Sequence, residues 1–81
     1  MYLAAKTYLF AQYPQLTNLS IYKVEEQIVN GANYRLHIVD YTTMNLYQAK
    51  VYVTLGQVAT VQELYFNDVS IMNTQTQDLE K

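Results

Sequence analysis

An 81-residue chain of 9.4 kDa has room for one small domain, because folding at this size removes only about 60 to 65% of the unfolded surface from water. With 51% apolar and 15% charged residues it is neither a disordered nor a collagen-like sequence. Five basic residues, spread singly, against seven acidic ones leave a net charge of −2 and no basic patch for phosphates, so nucleic acid is not an expected partner.

No apolar run reaches the roughly 18 residues of a membrane span, since Lys6, Thr7 and Gln12 interrupt the only candidate; no membrane insertion is expected. The same stretch lacks a basic n-region and carries Lys6 inside, so it reads as structure and not as a signal peptide. Cysteine is absent, which excludes disulfides, thiolate metal sites and cysteine nucleophiles. A reducing, cytoplasmic location is the expectation, although secreted domains can also lack cysteine. Nine tyrosines, with two glycines, favour half-buried or partner-facing positions where a ring is covered and its hydroxyl stays wet.

Residues 2 to 12 hold good helix formers without Gly or Pro, and Pro14 disfavours helix at Tyr13. The spacing predicts a short helix, apolar nearly all round, with Ala5 and Leu9 on one face and Leu3 and Phe10 on another. From Leu19 the period becomes two. Leu19 to Val29 reads as a strand with a parity switch, Leu19 and Ile21 giving way to Tyr22, Val24 and Ile28, which a bulge or a sharp bend would reconcile. Asn30-Gly31 predicts a two-residue hairpin turn with positive φ at both positions. Ala32 to Tyr41 alternates, with Tyr34, Leu36 and Ile38 inward and Arg35 and His37 outward.

Thr42 to Asn45 form a polar turn. Tyr47, Ala49, Val51, Val53 and Leu55 line one face of a third strand, with Gln48 and Lys50 opposite. Gly56-Gln57 breaks it, and Val58 to Phe66 reads as a fourth strand. The expected fold is α+β: one N-terminal helix packed on a curved four-stranded antiparallel meander spanning residues 1–66, followed by a mobile polar tail, 67–81.

Catalytic chemistry has little to work with, and no enzyme activity is expected. The only imidazole, His37, sits on the polar face of a strand and reads as a surface residue. Glu25 and Glu26 are adjacent on a strand, so they point to opposite faces and cannot share a metal or a proton. There is no phosphate-cradling loop, nucleophile elbow or zinc spacing, so neither a cofactor nor a metal is expected.

Gln27-Ile28-Val29-Asn30-Gly31 followed by Ala32-Asn33-Tyr34 resembles the QxVxG segment of the cystatin superfamily. Leu46-Tyr47-Gln48-Ala49-Lys50-Val51-Tyr52-Val53 looks like the LYEAKVWV strand of the plant cystatins, and Glu63-Leu64-Tyr65-Phe66 is similar to the closing residues of the stefins. The resemblance covers about residues 1 to 66 and implies a helix gripped by a curved sheet. It also implies reversible, steric inhibition of papain-like cysteine proteases by a wedge that fills the active-site cleft.

By resemblance the first hairpin of that wedge maps to Gln27, Ile28, Val29, Asn30 and Gly31, and the second to Leu55 and Gly56. An Asn-Gly pair would equally serve any β protein that must close a hairpin. A bulky residue at Gly31 is expected to sit at the hairpin tip and leave the fold largely intact. The family's Pro-Trp in the second hairpin is replaced by Leu55-Gly56, and its glycine-bearing N-terminal trunk is expected to be missing because Met1 falls inside the helix. Two functions follow from this: a weak inhibitor of papain-type proteases, or a non-inhibitory subunit that uses the same fold inside a larger assembly.

Overall fold

A computed structural model describes residues 1–72. The helix α1 runs over Tyr2–Gln12 and stops at Tyr13, whose backbone N–H donates back to the Leu9 carbonyl at 2.9 Å. Pro14 begins a single 3-10 turn, Pro14–Leu16, because its ring fixes φ and removes the donor that a further α-turn would need. The turn drives Leu16 into full burial, a core position without a signature in the sequence.

Five strands follow as a meander, β1 (Ser20–Val29), β2 (Gly31–Asp40), β3 (Asn45–Val53), β4 (Ala59–Phe66) and β5 (Val69–Ser70), in the sheet order β1-β2-β3-β4-β5. All pairs are antiparallel. The α+β class and the single helix agree with expectation, and four strands become five. Asn67 and Asp68 both adopt positive φ, 49° and 68°, the geometry of a primed two-residue turn. Asn67 also bridges strands: its carboxamide oxygen accepts from the Leu46 N–H at 2.8 Å while its own N–H reaches the Leu46 carbonyl at 2.7 Å. The expected tail at 67–81 therefore begins as sheet, and residues 73–81 lie outside the described residues.

Two irregularities reconcile the sequence with a single buried face. Between Ile21 and Lys23 the register shifts by one residue against β2, leaving Tyr22 as the extra residue, as the parity switch requires. A second shift leaves Gln62 unpaired against β3, so that Val61 and Leu64 both turn inward; the uninterrupted reading of Val58 to Phe66 did not contain it.

Inward residues of the three central strands meet α1 as expected. Tyr34, Leu36, Ile38, Val51 and Val53 are buried with Ala5 and Leu9, joined by Leu16, Ala32, Ala49, Val61 and Leu64. Each buried Leu or Ile contributes roughly 1.5 to 3 kcal/mol, and this cluster is the principal stabilising feature of so small a domain. Leu55 is the exception: β3 ends at Val53, and Leu55 is exposed in the following turn. Phe10 and Tyr8 are half-buried against the core, and of the second helix face only Leu3 remains fully open.

The Tyr2 ring packs on Tyr34 with centroids 5.8 Å apart, which directs the start of α1 toward the sheet end where β1 turns into β2. Tyr34 donates its hydroxyl to Glu26 at 2.6 Å. Burial first, and then the Glu26 carboxylate, push the Tyr34 phenol from its ordinary 10 up to about 12. Above pH 10 an unfolded tyrosine loses its proton while the folded one keeps it, so stability falls as pH rises from 10 toward 12. Tyr34→Phe is expected to lose less melting temperature than the parent chain between about pH 9 and pH 11.5, read by circular dichroism. Equal losses would show that other groups dominate the alkaline transition.

Candidate functional site

The β1–β2 and β3–β4 turns lie side by side at one end of the sheet, since Ala32 pairs with Val53 across the β2–β3 ladder. In the first, Gln27 pairs with Asn33, Ile28 with Ala32, and Val29 with Gly31 around Asn30. The expected positive φ at both turn residues is not observed. It falls on Gly31 alone, at 108°. The Tyr52 hydroxyl, projecting from β3, donates to the Asn30 carbonyl and ties the first turn to the neighbouring strand. Gln27 works within the hairpin, accepting from the Asn33 side-chain amide at 3.3 Å.

Gly31 is buried, contrary to its expected place at an exposed tip. A Cβ built there would stand 2.4 Å from the Val53 carbonyl oxygen and 2.9 Å from the Tyr52 hydroxyl. The expectation that a bulky residue at Gly31 spares the fold is thus corrected: the glycine is required by close approach to β3 and by its φ. The exposed apolar surface of the hairpin is instead carried by its neighbours Ile28 and Val29.

The second turn is closed by the Gln57 N–H to the Thr54 carbonyl at 2.9 Å and by the Val58 N–H to Thr54 Oγ1 at 3.1 Å. Positive φ falls on Gln57, at 68°, and not on Gly56, the pattern of a four-residue turn followed by a left-handed residue. A Cβ on Gly56 would meet only Thr54 Oγ1, at an ordinary 3.7 Å. Gly56 is therefore dispensable where Gly31 is not.

Together the two turns present Ile28 and Leu55, each 68% exposed, with Val58 at 63% and Val29 at 48%. No charged residue lies in Gln27–Asn33 or Val53–Gln62, so this end of the molecule is an uncharged apolar ridge. Val58 belongs to it although it reads as the start of a strand. Its proximity to Leu55 across a tight turn was the available signal. Tyr52, the brace between the turns, could have been found only through its register opposite Asn33.

The outer face of the sheet is polar along the middle of β2 and β3. Arg35, His37, Gln48 and Lys50 all lie on it, half-buried. Arg35 bonds to Gln48 and lies 3.6 Å from Glu63. His37 sits 2.8 Å from Glu25 and packs against the Tyr22 ring, the ring centroids 6.0 Å apart and the planes tilted by 55°. The hydrogen bond from His37 lowers the Glu25 carboxyl below its ordinary 4.5. Glu26 points to the helix face and holds Tyr34, so the two carboxylates are separated by the sheet. Among the described residues no three His, Asp or Glu side chains converge on a point that could hold a metal ion, and no described helix is long and apolar enough to cross a membrane.

The ridge contains no nucleophile, acid or base, and its chemistry is limited to shape, apolar contact and backbone hydrogen bonding. Comparison of the chain with protein-family models, with curated proteins and with solved structures gave no match.

Proposed function

We propose that this chain is a reversible steric inhibitor of papain-type cysteine proteases that presents the Gln27–Gly31 hairpin, together with Leu55 and Gly56, to the active-site cleft. The observation that carries the reading is the convergence of two hairpins into one uncharged ridge with Ile28, Val29, Leu55 and Val58 exposed. Apolar side chains on rigid hairpins lose little conformational entropy on docking. The cysteine-free sequence suits a cytoplasmic setting for such an inhibitor.

Affinity is set by what the ridge lacks. Large aromatic anchors commonly carry about 2 kcal/mol or more of interface energy, and here the second turn offers only Leu55 and Gly56. Inhibition at roughly micromolar concentration is expected when an active papain-type enzyme is titrated against a fluorogenic substrate. Nanomolar inhibition would mean that the first hairpin suffices alone, and no inhibition at about 1 mM would reject the reading.

A subunit role within an assembly is favoured by a different surface. Tyr22, Val39, Tyr41 and Leu46 line a shallow apolar depression of about 320 Å³ at the sheet end away from the ridge. An assembly subunit would show no protease inhibition and would lose its partner on Tyr41 or Leu46 substitution.

A further inference from the structure

β1 forms one border of the sheet and pairs only with β2. Its ten residues contrast with the two of β5 at the other border, and every residue from Tyr22 to Val29 is exposed. The helix packs against β3 and β4 and leaves an open groove of about 670 Å³ along β1, whose lining includes Lys6, Phe10, Ile21, Lys23 and Val24. A long, open border of unpaired N–H and C=O groups is a template for another strand, which sheets ordinarily cover or shorten.

We propose that the strand is β1 of a second copy of this chain, paired antiparallel about a two-fold axis perpendicular to the sheet. Such an axis keeps the two faces of the sheet in register, so directly opposed residues must share a face. Two registers then overlap β1 over nearly its whole length, one centred on Val24 and one on Glu25. Centring on Glu25 sets two carboxylates against each other, which destabilises a cross-strand pair.

Centring on Val24 matches the charges on the outer face, where Lys23 and Glu25 lie beside His37 and Arg35 of β2. Lys23 lies opposite Glu25 of the second copy, and the pair occurs twice. Val24 meets its own counterpart on the helix face. Glu26 of the second copy falls at Tyr22, the bulge residue whose ring lies on the outer face against His37, so regular pairing ends there. Lys6 has no ion-pair partner among the described residues, and Lys23 has only Glu25 of its own strand, at 3.9 Å. The bulge at Tyr22 lies outside the central Lys23–Glu25 stretch. Asn30 and the second turn, with Leu55 and Val58, stay clear of the pairing, whereas Gln27 and Ile28 lie at its margin opposite Ile21 and Ser20 of the second copy.

Sedimentation equilibrium of the full chain up to about 1 mM is expected to show a monomer–dimer equilibrium. Lys23→Glu replaces two attractive pairs by two repulsive ones and is expected to raise the dimer Kd about tenfold or more. The Lys23→Glu, Glu25→Lys exchange restores both pairs with signs reversed and is expected to return Kd to within about threefold of the parent. Leu55→Asp, on the ridge, is expected to leave Kd unchanged. Melting curves establish that each variant is folded at the temperature of measurement. A monomer throughout, a dimer indifferent to Lys23→Glu, or an exchange variant as weak as the single variant would each overturn the proposal.

Discussion

Gly31→Ala is expected to destabilise the protein by about 2 to 5 kcal/mol, the combined effect of a strained φ and of backbone displacement. The new Cβ would lie 2.4 Å from the Val53 carbonyl oxygen, and Gly31 has φ of 108°, where side chains are disfavoured. That oxygen belongs to the backbone of β3, so it cannot swing aside as a flexible side chain would. Either β2 and β3 part locally or the whole turn shifts, and both outcomes disturb the Tyr52–Asn30 hydrogen bond. Small domains have total stability of roughly 5 kcal/mol, so Gly31→Trp is expected to leave the chain largely unfolded. Urea denaturation of Gly31→Ala followed by circular dichroism measures the loss; a midpoint equal to the parent's would show that the turn relaxes freely. A consequence for the protease reading is that Gly31 variants cannot test contact, and Ile28 or Val29 must be substituted instead.

Leu55→Pro, Gly56→Trp in combination is expected to tighten inhibition of a papain-type protease by about 30-fold, the value of one aromatic anchor of about 2 kcal/mol. The second turn is built to accept both changes. Leu55 follows Thr54 in a turn closed by the Gln57 N–H to the Thr54 carbonyl at 2.9 Å, and proline is favoured at that second position. Gly56 does not occupy the left-handed region, which Gln57 takes, and its Cβ direction is open. The indole would extend the exposed ridge beside Leu55's former position without disturbing the core. Melting temperatures of parent and variant are therefore expected to agree closely, while the inhibition constants separate. An unchanged constant in a folded variant would remove the second turn from the contact, and silence from both proteins would favour the assembly role.

Helix α1 was legible because its limits are local: residues 2 to 12 contain no breaker, and Pro14 denies the next turn its donor. The inward row Tyr34, Leu36 and Ile38 and the row Val51 and Val53 followed from a period of two, which any strand half-covered by a helix must show. An irregularity within β1 was legible for the same reason, as a bulge or a sharp bend, and the strand pairing made it a bulge at Tyr22. The fifth strand was readable in principle from Asn67-Asp68, two residues that tolerate positive φ, but the polar sequence beyond it masked the signal.

What the tertiary structure alone decided is which residue of each turn bears the constraint and which apolar residues remain uncovered. Composition at Asn30-Gly31 and Gly56-Gln57 marks turns. The strand register then assigned the left-handed conformation to Gly31 in one and to Gln57 in the other, because register fixes which backbone meets which neighbour. The same register set Gly31 against the Val53 carbonyl and brought Tyr52 to the Asn30 carbonyl. Leu16 and Leu55 are both leucines in short connections, yet one is fully buried and the other 68% exposed. The residue is the same at the two sites; the difference arises because the 3-10 turn begun by Pro14 folds back onto the core, whereas the β3–β4 turn projects past the end of the sheet. Apolar identity is therefore a property of the sequence, and burial is a property of what the fold sets against it.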